Sequence, residues 1–511
     1  MAEFRRRWRG ALLSAAAAIG LSACAGTVSN DAINEPIASV ADQGGWPLGP
    51  DQFGSTVVGV AFSGGGMRAS AFSYGVLSEL DRYQVQTDQG PRRMTEMVDL
   101  ISGVSGGSVT AAYFGLKGRD GLPGFRQQFL DRNAEQGFDT EVSLASVARI
   151  FTDGGVNDRS KFPRWLDDNV FGGATYASLF ARKRPLVWIA ASDIYSRVPF
   201  VFEPVTFNVL CSDLSRIRLS EAVAASAAVP GVFIPMNVEN FGGACGGHVP
   251  QFMQRAVSSD TAPATLQASG AALMRYRADP ARYRYVKLLD GGLTDNFGIH
   301  SLAIARSSRD RPYMPMTAEQ GVRVNRFLYM VVDAGRGPAG DWQRTTGSPN
   351  GMEIASIVTD VAIDSGVYKG YDYFTAIMKE WQADLRRWRC SLSSAEVLKL
   401  RGTLNGWRCA DVNFSVGRVT FADAGADMKA KLDQVPTRFT LDPATIDLLV
   451  SGGEAALRNN TTFRNFMGKS ALVGKAPTGG KDRAREKTPV ASRTPRLDLT
   501  MSLAGDPASA R

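Results

Sequence analysis

Three short stretches carry residues suited to acyl-transfer chemistry. "GVSGG" at 103–107 sets Ser105 between glycines at the end of an apolar run. "SGGGMR" at 63–68 offers successive backbone N–H groups from Gly64, Gly65 and Gly66, and "LLDGG" at 288–292 ends another apolar run on Asp290. A serine hydroxyl becomes a nucleophile only when a base takes its proton, and the oxyanion that follows needs donors already aimed at it. A sharp turn holding the serine, a row of donors and a carboxylate together meet those needs. Each piece alone is weak, because with 53 glycines in 511 residues a G-x-S-x-G match arises readily by chance, and S-G-G recurs at Ser63 and Ser451.

Other chemistries fit less well. The glycine row matches neither the P-loop spacing nor the dinucleotide fingerprint. Asp290 can also cap an Asp-Gly turn, and Asp295 in "TDN" is the rival acid. A Ser-His-Asp triad would have to recruit His248, in the loop "GGACGGHVP", or His300, ten residues past Asp290 in an apparent helix; both read as structural. With two histidines, no C-x-x-C and no D-x-D-x-D-G pattern, neither a metal nor a cofactor is expected.

As a set, and in this order, the stretches resemble the patatin-like phospholipases. In that family G-G-G-x-[RK] forms the oxyanion hole, G-x-S-x-G holds the nucleophile and D-G-[GA] holds the catalytic aspartate. "ASAAVPGVF" at 225–233 also resembles a proline-containing block of the family, and the resemblance spans roughly residues 55–300. It implies an α/β fold, a three-layer α/β/α sandwich with a nucleophile elbow. It also implies a Ser105/Asp290 dyad without histidine and an oxyanion hole from Gly64, Gly65 and Gly66. Arg68 would fix that loop or stabilise charge near it, a plain surface arginine being the alternative. The implied substrate is a phospholipid or other lipid ester. A small-ester or thioester hydrolase, or a lipid-binding lipoprotein without turnover, are the other readings.

The elements that must position these residues are legible as apolar runs ending in glycine. "STVVGVAF", "MTEMVDLISGV", "RPLVWIAASDI", "RYRYVKLLD" and "VNRFLYMVVD" read as strands, while "MRASAFSYGVLSEL", "GGSVTAAYFGLKG" and "LSEAVAASAAVPGVF", stopped by Pro230, read as helices. Strand and helix in alternation argue for a sheet covered on both faces, with ligands at the carboxyl ends of its strands. Residues 120–183 read as a cap or a flank. A catalytic domain over 53–350 is followed by a helical extension over 351–468 that packs on it, with a strand at "VNFSVGRVTF". Trp381 and Trp388, beside Arg386, Arg387 and Arg389, form either a membrane-surface face or, at seven-residue spacing, a core stripe.

The termini suggest an exported, membrane-tethered chain. Residues 1–23 have a basic start and an apolar small-residue stretch too short to span a bilayer comfortably. "LSAC" resembles a lipobox that would lipidate Cys24, and Ala25 after it favours the outer membrane, facing the periplasm or the exterior. Residues 24–52 would tether the body, and 469–511 read as a disordered basic tail. Of the formal charge of +8, the two ends carry +3 and +4, leaving the body near neutrality. A nucleic-acid partner is therefore not expected; the membrane is, through the lipid. In an oxidising compartment Cys211 is expected to pair with Cys245 and Cys390 with Cys409, each closing the shorter loop.

Overall fold

The computed structural model describes residues 29–468, apart from 44–52, 88–89, 139–143, 244, 308–310, 338–343, 345 and 349–350. Cys24, the signal segment, part of the tether and the basic tail lie outside the described residues.

The apolar runs form one sheet. Its eight strands are β1 (Thr56–Phe62), β2 (Val98–Val104), β3 (Leu186–Asp193), β4 (Val198–Val201), β5 (Met236–Glu239), β6 (Tyr285–Asp290), β7 (Arg326–Val332) and β8 (Asn413–Val419). They lie in the order β8-β7-β1-β2-β3-β6-β5, with β4 also paired to β3. The strands from β8 to β3 are parallel, whereas β4 and β6 run antiparallel to β3. The sheet is therefore mixed, and Asp290 reaches the site from the opposite direction to Ser105.

Alternation along each strand feeds two cores. Val58, Val60, Phe62, Leu328, Met330 and Val332 face one of them. Val57, Ala61, Phe327, Tyr329 and Val331 face the other. The helices used below are α1 (Gly66–Leu80), α2 (Gly106–Lys117), α3 (Leu219–Ser226), α4 (Ala264–Ala278), α5 (His300–Ser307), α6 (Gly351–Ser391) and α7 (Pro443–Asn459). Phe72 of α1, Val109 of α2 and Leu449 of α7 bury into the first core, and Leu302 of α5 and Phe374 of α6 into the second, which makes three layers.

One local expectation needs correcting, and others are decided by the packing. Helix α3 ends at Ser226, four residues before Pro230, so the proline follows an irregular stretch instead of stopping the helix. Trp381 is fully buried against Phe327 and Phe414, and Trp388 packs on Tyr313. Arg389 is buried too and donates to the Val324 carbonyl. The tryptophan stripe is thus core, not a membrane face. In the 120–183 segment, Phe125 packs on Tyr74 of α1 and Tyr113 of α2, flanking the sheet. Two disulfides, Cys211–Cys245 and Cys390–Cys409, are present. Residues of the tether stretch run along the body: Ile33 N–H donates to Asn237, Ile37 to Cys211 and Val40 to Cys245.

Candidate active site

Ser105 occupies the one-residue turn between β2 and α2. Its φ of 51° and ψ of −125° are conformations a side-chain-bearing residue adopts only under constraint. The crowding around it explains the glycines: a Cβ on Gly106 would fall 1.9 Å from the Gly66 carbonyl oxygen, so elbow and glycine loop touch through bare backbone. The Ser105 N–H donates to Ser226 Oγ at 2.9 Å, and Ser226 Oγ donates to the Ala190 carbonyl at 2.6 Å.

Asp290 ends β6 with the Ser105 hydroxyl near enough to lower its carboxyl pKa. Its other contacts hold it still: Gly292 N–H donates to Oδ1 at 2.8 Å, and its own N–H donates to the Ala228 carbonyl at 2.8 Å. Gly291 N–H donates to the Ser226 carbonyl at 3.0 Å. Residues 226–228, from the proline-containing block, thus grip both Ser105 and Asp290. Burial pushes the Asp290 carboxyl up to about 6, against the opposing pull of the Gly292 N–H and the Ser105 hydroxyl.

The glycine loop leads from β1 into α1. Gly64 differs from the expectation of a free donor: its N–H is taken by Asn296, through Oδ1 at 3.1 Å and the carbonyl at 3.3 Å. Among the described residues Gly65 and Gly66 N–H meet no acceptor, so two donors at the start of α1 remain for a developing oxyanion. Arg68 is buried, which removes the surface-arginine alternative, and it fixes the loop: Nε donates to the Ala334 carbonyl at 3.0 Å and Nη1 to the Val435 carbonyl at 2.9 Å. Ser63 Oγ accepts the Ala334 N–H at 2.9 Å, tying the same loop to the end of β7.

The rival groups go elsewhere. Asp295 Oδ2 accepts the His300 N–H at 2.8 Å and caps α5. His300 is half-buried with its Nε2 3.0 Å from Ser269 Oγ, and desolvation lowers its pKa. His248 is exposed, with Nδ1 3.4 Å from the Gly246 carbonyl. A shallow cleft is lined by Glu203, Ser269, Tyr276 and His300 among apolar neighbours, and neither Ser105 nor Asp290 lines it. Sequence reasoning missed Ser226 and Asn296; the only signal for Ser226 was its place in the proline-containing block.

Comparisons with known proteins add the following. Residues 60–303 match the family model described as patatin-like phospholipase. No curated protein matches the sequence. Among solved structures, the human GIVD cytosolic phospholipase A2 is similar at 14% identity, over 55% of this chain and 46% of that one, with a TM-score of 0.28. The match therefore spans under half the length of that protein's chain.

Proposed function

We propose that the patatin-like phospholipase domain of residues 60–303 hydrolyses carboxylic esters of lipids, with Ser105 as nucleophile and Asp290 as its base. The observation that carries this reading is a constrained, buried serine beside a buried carboxylate whose pKa its hydroxyl lowers, next to two backbone donors unclaimed among the described residues.

The Asp290 carboxylate takes the Ser105 proton as Oγ attacks the ester carbonyl. Gly65 and Gly66 N–H receive the negative charge on the carbonyl oxygen. The protonated Asp290 then gives its proton to the departing alcohol, leaving an acyl-serine. Water, deprotonated by the same carboxylate, attacks that ester, and Ser105 leaves with the proton. Arg68 acts on the loop by holding it to Ala334 and Val435, not by touching substrate. Cys24, as the lipidated mature N-terminus, would hold the enzyme to the outer membrane; its support is the "LSAC" sequence.

Ser105→Ala and Asp290→Asn are each expected to abolish release of fatty acid from mixed bacterial phospholipids, with His248→Ala and His300→Ala retaining it. Turnover by pure Ser105→Ala protein would refute the dyad. Hydrolysis of short-chain esters alone would replace lipid with small esters as substrate. Unchanged detergent partitioning in Cys24→Ser would remove the anchor.

A further inference from the structure

The antiparallel end of the sheet overhangs the edge that carries Ser105. β2 stops at Val104, level with Ala190, but β3 runs on to Asp193 and turns through Ile194–Arg197 before β4 returns. β6 enters from beyond that turn, with Leu288 opposite Asp193 and Asp290 opposite Ala191. At a rise of about 3.3 Å per residue, Tyr285 stands roughly 16 Å further out than Asp290 along the strand.

This overhang is aromatic and basic. Tyr195 is 59% exposed and Tyr285 40%, beside exposed Ile194. The Tyr195 and Tyr283 rings lie 5.8 Å apart. Arg275 sits over Tyr195, Arg282 over Tyr283, and Arg284 and Lys287 over Tyr285, at 5.4 to 5.9 Å from the ring centres. Arg284 also pairs with Glu239 at 3.0 Å. Arg275, Arg282 and Lys287 join no ion pair among the described residues. In a body close to neutral overall, that is a local excess of positive charge.

We propose that this overhang, built on Tyr195, Tyr283 and Tyr285 with Arg275, Arg282, Arg284 and Lys287, docks on a bilayer surface bearing anionic phospholipid headgroups. Tyrosine suits the headgroup layer because its ring is apolar and its hydroxyl is wet. Guanidinium groups match phosphate oxygens, and anionic lipid attracts juxtamembrane cations. A nucleic acid reader instead needs open ring faces for base stacking; here cations already cover a face of each ring. Docking by this projection would turn the edge carrying Ser105 and the glycine loop toward the lipid. The proposal rests on the reading of the site as a lipid hydrolase, but its test does not.

The test is co-sedimentation of the full chain carrying Cys24→Ser and Ser105→Ala, so that neither the anchor nor turnover intervenes. Phosphatidylcholine vesicles are compared with vesicles that are about one-third phosphatidylglycerol. The protein is expected to partition onto the anionic vesicles only. Arg282→Gln with Arg284→Gln should lower that partition about 30-fold, equivalent to about 1 kcal/mol per arginine, and Tyr195→Ser with Tyr285→Ser should lower it as well. The same surface variants should unfold in urea at the parent midpoint, which shows that they are folded. Equal partition on both vesicles, or partition unchanged in both variants, would overturn the docking face. So would an RNA oligonucleotide bound more tightly than the vesicles through the same arginines. Vesicle binding that follows the expected pattern in a chain without esterase activity would keep the docking face and remove the hydrolase reading.

Discussion

Ser105 is held in a backbone conformation that costs about 1–3 kcal/mol, and the bonds around it show what opposes that cost: Ser226 takes its N–H and Asp290 meets its side chain. Asp290 bears a second cost. Burial raises its carboxyl to about 6, so the folded state prefers the protonated form. Below the unfolded value of about 3.9 the group is neutral in both states; as pH rises from there through about 6, stability is lost, up to about 3 kcal/mol. Asp290→Asn should therefore be inactive yet more stable than the parent in urea unfolding at pH 8, with no such gain at pH 4. Under the proposed dyad, activity has the opposite sign, because only the carboxylate would accept the serine proton. We expect kcat/KM on a soluble ester to rise through about pH 6 and stay level above, with the same acid limb in His300→Ala; a limb that moves in His300→Ala would make the histidine the base. The residue types of this site were legible in the sequence because glycine, serine and aspartate at strand ends have few other reasons to coincide. Ser226 and Asn296 were not, since a polar side chain that satisfies one backbone group leaves no pattern.

At the scale of elements, the glycine loop is held from outside its own strand and helix. Met67 N–H donates to the Arg438 carbonyl at 2.6 Å, and Gly66, at φ +60°, lies so close to the Arg438 backbone that a Cβ would stand 2.5 Å from its oxygen. Glu135 fixes that segment: it accepts from Arg438 Nη2 at 2.6 Å and from Phe439 N–H at 2.9 Å. Phe439 in turn packs with Phe138 and Phe162. Glu135→Ala should free the segment and let the loop drift, lowering kcat on a soluble ester about 10-fold with KM nearly unchanged. Normal kcat in that variant would show that Arg68 and Ser63 suffice. The parallel strands were readable because burial on both faces leaves an unbroken apolar run. The antiparallel ones were less so: β4 and β5 have four residues each, and the direction of β6 has no local signature. Nor does the bulge at Asp99, where pairing skips from Val98 to Leu100 and the buried Asp99 carboxylate takes the Val58 N–H at 3.1 Å.

For the described body as a whole, the stretch that matches the family model is shorter than the chain that folds. The family match ends at residue 303. Yet β1 is paired along all seven residues with β7, and β7 along all seven with β8. Without residues past 303, the buried run of β1 becomes an open edge, and edges of that kind aggregate. Helix α7 covers α1 at close range, with Gly75 against the Val450 backbone and Gly453 against the Phe72 carbonyl, so its loss uncovers the first core. The loop loses its anchors as well, because Ala334, Val435 and Arg438 are the acceptors for Arg68 and Met67. The Cys390–Cys409 disulfide lies wholly within that later stretch, its half-cystines 19 residues apart, and staples the end of α6 to the approach to β8. A fragment of residues 53–305 should therefore be recovered as aggregate, without a cooperative urea transition and without ester hydrolysis, whereas residues 29–468 should show both. A soluble, active 53–305 fragment would mean that the glycine loop sets its own geometry and that the later strands only cover it.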